Sequence, residues 1–170
     1  MPKLIKEGRI VPNDWHLVAA DMGIEEVLGL AAEQLIVPVN LWQEHKDQLQ
    51  NCAASIGIWF DSSQGPDMLA DDVNNFPVIG LNYPIFRDGR AYSYAAILRQ
   101  QRGFKGDLRA IGDVLRDQLS YMLSCGFSSF LVPDDTDEKI LLAGFHDFSE
   151  NYQSTVIKPI PLFRRRRKSS

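Results

Sequence analysis

Apolar residues along this chain alternate between short continuous runs and broader helical stripes, and the alternation keeps a beat. Strand-like runs begin at Leu35 (LIVPVN), Ser55 (SIGIWFD), Val78 (VIGLNYP), Asp107 (DLRAIGD) and Ser128 (SSFLVP), with start-to-start separations of 20, 23, 29 and 21 residues. Short apolar runs bounded by turn formers suit strands covered on both faces. Helical spacing fills the gaps over Gln43–Cys52, Pro66–Asn74, Tyr92–Arg102 and Val114–Cys125, with a last stretch at Glu138–Phe148. Gly103 and Gly126 stand where two of these helices must stop, each followed by Phe. Ahead of the rhythm, Arg9-Ile10-Val11 and Trp15-His16-Leu17-Val18 flank the turn-forming Pro12-Asn13-Asp14, which reads as a β-hairpin.

Strand, helix, strand at this interval predicts an α/β fold of about five βα units, a mainly parallel sheet with right-handed crossovers, and the N-terminal β-hairpin in front. Five units fall short of an eight-unit barrel of about 250 residues. An open doubly wound sheet and a partial β/α barrel both remain compatible with the pattern. Either architecture places its site at the carboxyl ends of the strands, where Asn40, Asp61, Asn82 and Asp113 fall. The expected organisation is a single α/β domain over residues 1–157 and a basic tail over 158–170.

Composition narrows the class. With 170 residues, 45 % apolar and 24 % charged, the chain has the makeup of a globular domain. The N-terminus lacks the apolar core of a signal peptide, and no apolar run reaches the roughly 18 residues of a membrane span. A cytoplasmic protein without a membrane partner is expected. Net charge is −4, yet Arg164-Arg165-Arg166-Arg167-Lys168 carries +5, so the body before it stands at −9. An acidic body argues against nucleic acid as a partner. Two cysteines, Cys52 and Cys125, are too few for a thiolate-held cluster. His16, His45 and His146 show no ligand spacing, so no metal is assigned. Neither GxxxxGK[ST] nor GxGxxG occurs, and no cofactor is assigned.

Most of the candidate chemistry lies between Phe86 and Phe127. Asp88-Gly89-Arg90 follows a strand and opens a helix, with Asp88 or Ser93 available as its cap. A guanidinium beside free helix N–H groups favours a small anion; the bland alternative is an Asp88–Arg90 pair that fixes the turn. Arg109 sits inside a short parallel strand, where a charge needs a partner. Asp113, Asp117 and Asp88 are the candidate carboxylates for a structural ion pair. The functional alternative has Arg109 and Arg90 clamp one ligand from adjacent strand ends, with Gly112 allowing close backbone approach and Asp113 and Asp117 lining the pocket. No complete catalytic constellation occurs, so catalytic residues stay unassigned.

The segment DGR-x-YS-x-A-x-x-LR, the following GDLRA-x-GDVLRDQL and the closing CGF resemble the bacterial domain-of-unknown-function 934 family. The Asp14-Trp15 pair, VPVNLW and FSENYQ are similar to further family features, so the likeness spans the chain to about Gln153. Ala91 departs from it, standing where the family has a second glycine. Members are labelled as oxidoreductases or as accessory proteins of sulfite reduction, because their genes neighbour those of assimilatory sulfate reduction. The resemblance therefore implies a sulfur-assimilation context, with a sulfite reductase or another sulfur-assimilation protein as partner and a small oxyanion as ligand. It brings no mapped catalytic residues. A non-catalytic interaction partner of a reductase is the alternative, and an oxidoreductase the third.

Overall fold

The five apolar runs form the centre of a single sheet. In the computed structural model, which describes residues 2–69, 72–83 and 89–146, the strands are β1 (Lys3–Lys6), β2 (Arg9–Val11), β3 (His16–Leu17), β4 (Gln34–Pro38), β5 (Ser55–Phe60), β6 (Val78–Tyr83), β7 (Asp107–Gly112) and β8 (Ser129–Val132). They hydrogen-bond in the order β2-β1-β8-β7-β6-β5-β4-β3. From β3 to β8 every neighbour is parallel; β1 joins β8 and β2 antiparallel. The helices are α1 (Ile24–Leu28), α2 (Val39–Glu44), α3 (Lys46–Gln50), α4 (Arg90–Ala96), α5 (Arg116–Cys125) and α6 (Glu138–His146). Among the described residues no helix is long and apolar enough to cross a membrane.

Two expectations change. The hairpin is β1–β2, one element earlier than the turn residues suggested. Its two-residue loop is Glu7-Gly8, both at positive φ (53° and 72°), the backbone that matches strand twist in a tight hairpin. Pro12-Asn13-Asp14 turns no hairpin, because His16–Leu17 pairs in parallel with β4 at the far edge of the sheet. The crossover from β5 to β6 also differs, carrying two 3-10 turns, Pro66–Leu69 and Asp72–Asn75, in place of an α-helix. The boundary at 157/158, the arginine-rich tail and Asp88 lie outside the described residues.

Those edges decide between an open sheet and a partial barrel. Eight flat strands spaced about 4.8 Å apart would hold β2 and β3 about 34 Å from each other. The chain leaves β2 at Val11 and enters β3 at His16, and five peptide steps reach at most about 18 Å. The sheet is therefore curled, with Pro12–Trp15 bridging its concave side.

Alternation along the strands sorts the side chains. Leu35, Val37, Ile58, Phe60, Ile79, Leu81, Leu108, Ala110, Phe130 and Val132 face the helices in the main core. Ile36, Trp59, Val78 and Ile111 face the concave side, where Trp15 and Leu131 pack on them. Gly57 and Gly80 belong to the same side by alternation, and a Cβ on Gly57 would lie 2.8 Å from the Val78 carbonyl and 3.5 Å from the Trp15 ring. At the end of α5, Gly126 takes φ 117°, and Phe127 N–H returns to the Met122 carbonyl at 3.1 Å, which stops the helix and turns the chain into β8.

Candidate functional site

The carboxyl ends of β5, β6 and β7 carry a connected polar rim. Just past β5, Asp61 accepts hydrogen bonds from Ser62 N–H and from the Asn82 amide of β6, both at 2.9 Å. Gln64 Oε1 in turn accepts from Asp61 N–H at 2.9 Å. Arg90, the first residue of α4, donates to the buried Ser62 hydroxyl at 3.3 Å, and the Tyr94 hydroxyl donates to the Ser62 carbonyl at 3.3 Å. These bonds tie the first turns of α4 to the loop after β5.

Gly112 closes β7 at φ 87°. A Cβ there would overlap Asn82 Oδ1 and the Tyr83 carbonyl oxygen, so only glycine lets the two strand ends meet. Asp113 N–H then donates to that same carbonyl at 2.7 Å, with the Asp113 side chain exposed. Asp61, Ser62, Asn82, Arg90, Gly112 and Asp113 thus share one rim. Gly89 is the N-cap of α4 and makes no side-chain cap bond. Ser93 is exposed on α4, and Asp117 is exposed in the first turn of α5.

Arg109 does not join Arg90. Its guanidinium is 3 % exposed on the concave side and turns toward the amino-terminal ends of the strands. There Nη2 pairs with Asp107, the first residue of β7, at 2.9 Å; Nε donates to Ser129 Oγ at 3.1 Å, and Nη1 to Asn13 Oδ1 at 3.1 Å. Among the described residues the paired acid is neither Asp113 nor Asp117. It is the residue two positions earlier, which strand alternation places on the same face. Arg90 and Arg109 therefore work at opposite ends of the strands, and the two-arginine clamp gives way to two separate groups.

Asp107 is held by more than one charge. Ser128 Oγ donates to Oδ1 at 2.6 Å and Ser129 Oγ to Oδ2 at 2.9 Å. Burial pushes its carboxyl upward, but the Ser128 hydrogen bond, the Arg109 charge and the Ser129 and Arg109 hydrogen bonds outweigh burial and hold it below its ordinary value.

A second structural arginine closes the DGR-x-YS-x-A-x-x-LR segment. Arg99 lies on a π-helical turn, Ile97–Gln101, that continues α4. It donates to the Gly126 carbonyl at 2.8 Å, the Phe104 carbonyl at 2.9 Å and the Gly106 carbonyl at 3.0 Å, with its charge over the Phe104 ring. The physical sign in the sequence is a basic residue in the last turn before Gly103, a place where cations meet unpaired carbonyls. Cys125 is half-buried beside Tyr121. Burial raises its thiol above the usual value, partly offset by hydrogen bonds with Tyr121 and Ser124, so the thiolate is disfavoured. Trp42 packs edge-on against Phe76 in the core and walls no rim.

A curled, mostly parallel α/β sheet with a polar carboxyl rim and a separate buried arginine defines the class of protein. The sequence model of a family described as "Bacterial protein of unknown function (DUF934)" matches residues 57–163, more than half of the chain, and the chain belongs to that family. The matched stretch takes in β6, β7 and the rim residues Asp61, Asn82, Arg90 and Gly112. A comparison with curated proteins finds no match.

Proposed function

We propose that this protein is a cytoplasmic accessory protein of assimilatory sulfate or sulfite reduction that holds a small oxyanion at the carboxyl rim. The observation that carries the reading is the meeting of Arg90, Ser62, Asn82 and Gly112 at the ends of three adjacent parallel strands. Parallel α/β sheets bring ligands to that edge, and a guanidinium there recognises a pyramidal or tetrahedral oxyanion through charge-assisted hydrogen bonds. The sulfur context comes from the likeness of the DGR-x-YS and GDLRA-x-GDVLRDQL segments to the family. Arg90 is the ligand-binding group in this reading, and Arg109 is not.

Titration calorimetry with sulfite, sulfate and phosphate tests it. Saturable binding near the millimolar range is expected, which is about 4 kcal/mol of affinity, with loss in Arg90→Ala. Absence of binding, or binding that Arg90→Ala leaves intact, refutes the anion site. Growth of a deletion strain on sulfate against cysteine tests the pathway independently. Exposed Leu115, Tyr121 and Ile140 on or beside α5 and α6 favour the second reading, docking onto a reductase. Pathway-dependent growth without anion binding would select it.

A further inference from the structure

The concave side holds a cleft at the other end of the strands from the carboxyl rim. It has a volume of about 280 Å³ and lies between the β1–β2 hairpin and the starts of β6 and β7. Leu4, Val11, Pro12, Trp15, Pro77 and Val78 form apolar walls, and the charged groups lining it are Lys6, Asp14, Asp107 and Arg109. At the small end of ligand pockets, which run from about 300 Å³ upward, it suits a molecule of amino-acid size.

Two features of the charged groups point to the ligand. Arg109 offers five N–H donors, whereas its protein acceptors among the described residues are three: Ser129, Asn13 and Asp107. Each of its three nitrogens has one acceptor, and Nη1 and Nη2 each carry a second N–H, so the fork retains capacity for an acceptor while lining a cleft. Lys6 and Asp14 are exposed at the same cleft and make no ion pair among the described residues. Two cations and two carboxylates line one small space. A simple anion would meet Asp107 and Asp14, and a simple cation would meet Arg109 and Lys6. Opposite charges on one small molecule satisfy both sets.

We propose that this cleft binds a free α-amino acid as a zwitterion, its carboxylate toward Arg109 and Lys6, its ammonium toward Asp14, and its side chain against Trp15 and Val78. Asp107 serves as the positioning residue that fixes the Arg109 fork. The bridging segment Pro12–Trp15 contributes both the apolar wall and the acid, which gives the crossing of the concave side a role besides closure. The site is independent of the carboxyl rim and of any oxyanion held there.

Titration of the full chain with the common L-amino acids, followed by calorimetry and ligand-observed NMR, tests the proposal. At least one amino acid is expected to saturate in the millimolar range. Its decarboxylated amine and its deaminated acid are expected to bind at least about tenfold more weakly, the worth of one lost charge-assisted contact. Lys6→Gln and Asp14→Asn change exposed residues, so folding is retained, and each is expected to weaken binding about threefold or more. Three results overturn the proposal: no saturation by any amino acid at about 10 mM, equal binding of either half-charged analogue, or unchanged affinity in both variants.

Discussion

Replacing Arg109 with Met isolates what the concave ion pair does. Both partners are nearly out of solvent, at 3 % and 8 % side-chain exposure, and lie 2.9 Å apart. Met keeps much of the stem's packing and removes the charge, leaving Asp107 with only its serine donors. A buried carboxylate stripped of its counterion costs about 3–5 kcal/mol, a large part of the 5–15 kcal/mol that holds a domain of this kind. The sign of the pH response follows from Asp107. In the wild type its folded carboxyl lies below the ordinary value, so the pair's stabilisation is complete above the unfolded value of about 3.9 and fades as pH falls through the folded one. Without Arg109, burial is the largest influence left, the carboxyl moves upward, and acid relieves the variant by protonating it. The wild type and Arg109→Met should therefore differ more at pH 7 than at about pH 4. Urea unfolding at both pH values measures this, with Asp107→Asn/Arg109→Met expected to be more stable at pH 7 than Arg109→Met alone. A loss below about 1 kcal/mol at pH 7, or the same loss at both pH values, would refute the account.

Gly112→Ala should destabilise by about 2 kcal/mol or more in urea unfolding, since the new Cβ meets backbone of β6 at a positive φ; wild-type stability would show that the strand ends can part. Arg99→Lys should cost about 2–3 kcal/mol despite keeping the charge, because an ammonium cannot span the Gly126, Phe104 and Gly106 carbonyls as a planar fork does. Thermal unfolding of the lysine variant at the wild-type midpoint would count against the fork.

The central strands were legible because being covered on both faces forces a continuous apolar run, and that signal survives in one sequence. Strand starts at Ser55, Val78 and Asp107 coincide with the first residues of β5, β6 and β7. Short edge elements carry no such signal. KLIK of β1 has only two apolar residues, and its turn uses Glu7 where Asn or Asp would have announced a tight hairpin. The crossover over Pro66–Asn74 read as helical because its apolar spacing suits 3-10 turns as well as an α-turn. Arg109 was recognisable as a buried charge in need of a partner. Its acid was not among the candidates Asp113, Asp117 and Asp88, which stand out by their motifs, although period-two alternation puts Asp107 beside it on the same face.

The curl of the sheet explains why the polar groups divide as they do. A flat sheet would leave Arg109 facing a second layer of helices, where a charge pair brings desolvation without compensation. Curling instead encloses a narrow space in which Ile36, Trp59, Val78 and Ile111 form a minor core, too small to fill without help from outside the sheet. Trp15 supplies that help. Its segment is anchored on the concave side by Arg109 to Asn13 at one point and by Trp59 Nε1 donating to the Val18 carbonyl, 2.9 Å away, at another. The arginine thus fastens the bridge that the short reach from Val11 to His16 demands, and its acid, Asp107, is set by the same β7 register that brings Gly112 to the far rim. Six residues of one strand therefore fix the closure at one end and the candidate ligand edge at the other, and of the two sequence readings of Arg109 the structural ion pair is the one its contacts with Asp107 and Asn13 match.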